Sequence, residues 1–87
     1  MLQAEYAALS KKYEKADDLY KQAISHAVRN DHLHHAALFH ERFAEYRLEL
    51  RNDRKDGKYH LEKAIRYYTE WGAVGKAEHL KADLAKI

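Results

Sequence analysis

Histidine is the residue type that first suggests chemistry. The chain of 87 residues holds seven, and His26, His32, His34, His35 and His40 fall close together. A neutral imidazole can ligate a metal, and its charge changes near pH 6.5. Metal binding needs ligands that converge on one point. On a helix that means spacings of three or four, which only His32 and His35 satisfy within the dense cluster, because His34 points to another side. There is no cysteine to complete a site. A metal-responsive helical domain built on His32 and His35 is therefore one reading. The plainer one is a polar helix start, with a neutral His40 packed at the edge of the core. Neither a metal nor a cofactor is expected.

Other catalytic signatures are sparse. Glu41 and Glu45 share a helix face, but glutamates so placed are commonly solvated. The chain has no Gly-rich phosphate loop, no serine elbow and no Cys/His pair, so the expectation is that it is not an enzyme. Seven tyrosines remain. Tyr13, Tyr20 and Tyr68 recur at core spacing. Tyr67 falls off that face and is expected to be exposed, while the spacing does not decide Tyr46. Tyrosine also serves half-wet interfaces, since it joins a rigid ring to a hydroxyl.

The elements that would hold these residues are helices. Composition is 46% apolar and 34% charged, with no proline and three glycines, which favours helix almost throughout. So short a chain makes one domain with a thin core. No apolar run of about 18 residues predicts a membrane span, no signal peptide precedes the first helix, and the lack of cysteine fits a cytoplasmic setting. A net charge of +2 is too small to argue for nucleic acid. The locally basic stretch 51–66 reads as a solvated helix surface.

Periodicity predicts five helices. The first, Met1–Ser10, carries Leu2, Tyr6 and Leu9 among Ala4, Ala7 and Ala8. It opens without a cap signal, as a piece of something longer would. The second, Tyr13–Arg29, sets Ala16, Leu19, Tyr20, Ala23, Ile24 and Ala27 on one face, with an Asp17–Lys21 pair outside. Asp31 is the expected N-cap of a third helix running His32–Leu50. Its apolar positions, from Leu33 and Ala36 through Phe43 to Leu48 and Leu50, spread widely, as in a helix touched on several sides. Asp53 caps the fourth, with Asp56 in its first turn. There Gly57, Leu61, Ala64, Ile65, Tyr68 and Trp71 make the apolar face. Gly72 suits the position just past the end. A fifth helix follows over Ala73–Lys86, with Val74, Ala77, Leu80 and Leu84 inward.

The chain repeats itself. Ala4-Glu5-Tyr6 returns as Ala44-Glu45-Tyr46 at an offset of 40, and Ala23-Ile24 as Ala64-Ile65 at 41. Ala16 and Gly57 match as small residues, Tyr20 and Leu61 as large ones. Helices one and two thus form one hairpin, three and four another, and five starts a third unit or caps the array.

The run L-x-K-A-I-x-x-Y-x-x-W-G-A-x-x-K-x-x-x-L, Leu61 to Leu80, resembles tetratricopeptide-type helical repeats. More narrowly it looks like the repeat region of large multidomain signalling proteins that combine kinase, ATPase-like and sensor modules. Tyr13-Glu14-Lys15-Ala16, with Tyr20, Ala23 and Ile24, is similar to the second-helix signature of those repeats, so the resemblance covers roughly residues 13–80. It departs in having Arg54 where an aromatic is usual, no closing proline, and a period longer than the usual ~34 residues. The resemblance implies an all-α superhelix of antiparallel hairpins, about two repeats plus a capping helix: hairpin 1 over 1–30, hairpin 2 over 31–71, and the capping helix over 73–86. It also implies a scaffold that docks a protein or peptide on the surface lined by each repeat's first helix. Carried over residue by residue, that surface comprises Glu5, Leu9, Glu41, Arg42, Glu45, Leu48 and Glu49. The Lys/Asn pattern that grips a peptide carboxylate is absent. The competing readings are a homodimerisation module and a set of ordinary solvated charges.

Overall fold

The computed structural model describes residues 2–87, with side chains from Gln3 onward. The helix start at Met1 and the side chain of Leu2 lie outside the described residues. The chain is all-α: α1 Leu2–Leu9, α2 Tyr13–Arg29, α3 Leu33–Glu49, α4 Arg54–Trp71 and α5 Val74–Ala85. Each helix packs on the next, an arrangement compatible with helical repeats. The described residues make a slab of 34 × 32 × 17 Å.

Short turns force the reversals, and each uses one left-handed residue. These are Lys11 at φ 62°, Asp31 at 55°, Asn52 at 52° and Gly72 at 97°. Lys11 and Asn52 stand 41 positions apart, and so do Asp31 and Gly72. The backbone therefore repeats at the offset seen in the side chains. Gly72 adopts this conformation freely and lets Ala73 N–H donate to Tyr68 O at 2.8 Å. A side chain there costs about 1 kcal/mol. Asp31 is accordingly the turn residue and not the cap expected from its type. The cap position is His32, which makes no side-chain cap bond. Asp53 does cap α4, accepting from Asp56 N–H at 3.1 Å.

The core has two parts, and α3 serves both. On one side Ala4, Ala7, Ala8, Ala16 and Tyr20 close around Phe43 and Tyr46. On the other, Ala37 and Ala44 meet Leu61, Ala64, Ile65, Tyr68, Ala77 and Leu80. Alanines permit close approach and the rings fill the remaining space. Gly57 marks a close approach of α4 to α3, since a Cβ added there would stand 2.5 Å from Leu48 Cγ.

Several inward expectations fail at the ends of the array. Tyr6 is 69% exposed and Leu9 79%, because only Ala4, Ala7 and Ala8 of α1 face α2 and α3. Leu50, Trp71 and Val74 are exposed as well, and Trp71 stacks on the His34 ring with centroids 5.1 Å apart. Conversely Tyr67 is half-buried and lies on His40, centroids 5.6 Å apart. Asp17 turns away from Lys21 toward Arg47 and Arg51, at 3.6 and 3.3 Å.

Candidate functional site

The odd-numbered helices share one face, with a furrow on each side of α3. The first, about 340 Å3, runs between α1 and α3, where Glu5, Leu9, Arg42, Glu45 and Glu49 surround a floor that includes Ala8 and Tyr20. The second, about 350 Å3, runs between α3 and α5, where Glu41, Glu45, Leu48 and Glu49 face Lys76, His79 and Asp83. All seven residues that the resemblance singled out thus lie along these two furrows. Glu45 and Glu49, one helical turn apart, form the ridge between them.

Their environments differ. Glu41 is buried. It accepts from the Tyr68 hydroxyl at 2.8 Å and lies 3.1 Å from Lys76 Nζ. That ties α3 to both α4 and α5, so the solvated carboxylate expected there is instead a structural tie. Leu48 forms the wall against Gly57. Arg42 reaches Glu45 at 3.8 Å, a half-exposed pair of small energetic consequence. Partial burial, then the negative charge of Glu41, raises the Glu45 carboxyl above its ordinary range. Burial, then the Glu5 carboxylate, pushes the Tyr20 hydroxyl up to about 12.

A chain of buried and half-buried polar groups runs behind this face. His40 Nδ1 and His60 Nδ1 are 3.0 Å apart, a distance at which one proton is shared and two repel. Burial, then His60 and Lys63, lowers the His40 pKa to about 4. Burial also lowers His60, against the pull of Asp56 at 3.4 Å. Asp56 in turn contacts Arg47 at 2.7 Å, and the series continues through Asp17 and Arg51 to the Tyr46 hydroxyl, which donates to Tyr13 O at 3.2 Å. Only the neutral His40 was readable from spacing. His60, three residues after Gly57, carried the one available hint of its partner.

The histidine cluster lies at the other end of α3. His32 and His35 meet edge to face, centroids 5.4 Å apart, and His34 is taken up by Trp71. Among the described residues no group of three His, Cys, Asp or Glu is placed to hold a metal ion. None of the described helices is long and apolar enough to cross a membrane.

No protein-family model matches this chain, and neither a curated protein nor a solved structure matches it.

Proposed function

We propose that the chain is a protein-interaction module of tetratricopeptide type, belonging to a larger signalling protein, with no catalytic role of its own. Its odd-helix face would dock a peptide or partner helix that carries lysine or arginine. The observation that carries this reading is the pair of furrows flanking the Glu45–Glu49 ridge. Each combines apolar floor with carboxylate wall, the mixture that fixes a peptide by shape and selects it by charge. The internal repeat supports it too, because stacked hairpins offer equivalent helices side by side. The signalling context rests on the resemblance of Leu61–Leu80 alone.

Selection from a random dodecapeptide library against the immobilised chain tests the proposal. Enriched peptides should carry basic residues beside apolar ones. Their affinity should fall about tenfold in the Glu45→Gln, Glu49→Gln double variant, the loss of two partly exposed charge contacts. A failure to enrich any sequence, or indifference to both substitutions, would sink the proposal.

A further inference from the structure

The layer behind the two furrows belongs to α2 and α4, and on α4 its outer side is basic. That helix turns Gly57, Leu61, Ala64, Ile65 and Tyr68 inward. Lys55, Tyr59 and Lys63, each one turn from the next, run along the outside. Tyr59 is exposed, and Lys63 Nζ lies 5.7 Å over its ring. Neither lysine pairs with a carboxylate among the described residues. Arg66 continues the row, held to Glu70 at 3.2 Å, and the exposed Glu62 lies beside it. Stacking of further units would not cover this α4 ridge. The offset of 41 maps Lys55, Tyr59, Lys63 and Arg66 onto Glu14, Asp18, Gln22 and Ser25 of α2. Those four are exposed although the second hairpin stacks on α2. A hairpin stacked on α4 in the same way leaves its ridge open.

We propose that the occupant of the odd-helix face is the α4 ridge of a second copy of this chain, docked head to tail. This rests on the reading of that face as a docking face, and it names the partner. The charges support that choice. The α1–α3 furrow sets the carboxylates of Glu5, Glu45 and Glu49 against the single guanidinium of Arg42, around an apolar lining of Ala8, Leu9, Tyr20 and Leu50. The α4 ridge offers the complement, an exposed ring with an ammonium group one turn to either side. The Tyr59 ring would seat on the apolar lining, with Lys55 and Lys63 against the carboxylate walls, and tyrosine is a common anchor in such sites. The α2 row is excluded, since Glu14 and Asp18 would meet those carboxylates with like charge. Two copies seated odd face to odd face would oppose their Glu45–Glu49 ridges, and two seated α4 to α4 would oppose their lysines. Only odd face to α4 ridge is complementary. Each copy then keeps one ridge and one face unused, so association continues past two copies unless the rotation closes a ring.

Sedimentation equilibrium of the chain over about a hundredfold range of concentration is the test. The average mass should climb above 10.3 kDa, pass that of two copies, and fall back in concentrated salt. Lys55→Glu with Lys63→Glu should weaken association about tenfold, as two rim charges turned repulsive would do. Tyr59→Ala should weaken it too, and both variants should keep the helical circular dichroism. Glu45→Gln with Glu49→Gln should weaken it from the other side. An equimolar mixture of the double lysine variant and the double glutamate variant should form pairs and stop there, since only one intact ridge and one intact face remain. A library-selected basic peptide should still bind the double lysine variant and should dissociate the parent assembly. A mass fixed at 10.3 kDa throughout overturns the inference. If the peptide still binds, the docking face stands without this partner, and if it does not, the face falls as well. A closed dimer that the double lysine variant also forms, or a mixture that stays monomeric while the parent associates, overturns the inference too.

Discussion

Tyr6 and Tyr46 are the same residue type at the same place in two hairpins, yet one is 69% exposed and the other 4%. Nothing local separates them, since each follows the same Ala-Glu pair. The difference is the neighbour. Tyr46 has α2 against it, with Tyr13 and Tyr20 on its ring and Arg51 on its hydroxyl. Tyr6 faces solvent. In a stacked array, burial is a property of the interface between units more than of the residue. Ala4 and Ala44, or Ala16 and Gly57, have neighbouring helices against them at both places and are buried alike.

The largest blow to this contrast is Phe43→Ala. Phe43 is the only large side chain that is fully buried among the described residues. Its counterpart is the exposed Gln3. The substitution should cost about 3–5 kcal/mol and leave the chain largely unfolded, read as loss of a cooperative urea transition. The tyrosine pair sharpens the comparison directly. Tyr46→Ala removes two ring stacks and a hydroxyl that both donates and accepts, at a cost of about 2–4 kcal/mol, whereas Tyr6→Ala should stay within about 0.5 kcal/mol. Equal costs in chemical denaturation would end the idea that neighbours set the difference.

Acid tests the polar side of the second hairpin. His60 stands where the first hairpin has Leu19. Around the His40–His60 pair lie Asp56, Lys63 and Tyr67 from α4, Arg47 from α3, and Lys21 and Asp17 from α2. Both imidazoles have folded-state pKa values below the ordinary 6.5, His40 down to about 4. The unfolded chain therefore binds protons first. The stability of neutral histidine is fully present above pH 6.5 and lost as pH falls toward the folded value, at up to about 1.4 kcal/mol per pH unit for each group. Urea midpoints at pH 7.5 and 5.5 should differ accordingly, with a smaller drop in His40→Asn. A flat profile in the parent chain would contradict a buried neutral pair. The smallest effect lies in the turns: Lys11→Gly relieves a left-handed side chain and should add about 0.5–1 kcal/mol, seen as a raised thermal midpoint.

What the sequence disclosed follows from which forces are local. Helix number and type were legible because Ala, Leu, Tyr and Lys recur with one period over long runs. The offset was legible because the repeat was written twice, and the turn residues keep it. The gaps between helices at 10–12, 30–31 and 51–53 were legible, as was Gly72, but the left-handed φ of Lys11, Asp31 and Asn52 was not, since turn length and packing impose it on residues that have no need of it. Trp71 and Leu9 keep the right spacing and still face out, because periodicity describes a helix face but not whether something lies beyond it. At the candidate site the seven residues, chosen from the resemblance, line the two furrows beside α3. The role of Glu41 was hidden, because Tyr68 and Lys76 come from two other helices.

The central claim is that the odd-helix face docks a partner, and chemical-shift mapping with a library-selected basic peptide tests it most directly. Amide shifts should concentrate at Glu5, Leu9, Arg42, Glu45 and Glu49, with the outward face of α2 silent. Saturable shifts on that outward face, with the Glu45–Glu49 ridge unmoved, would contradict the claim.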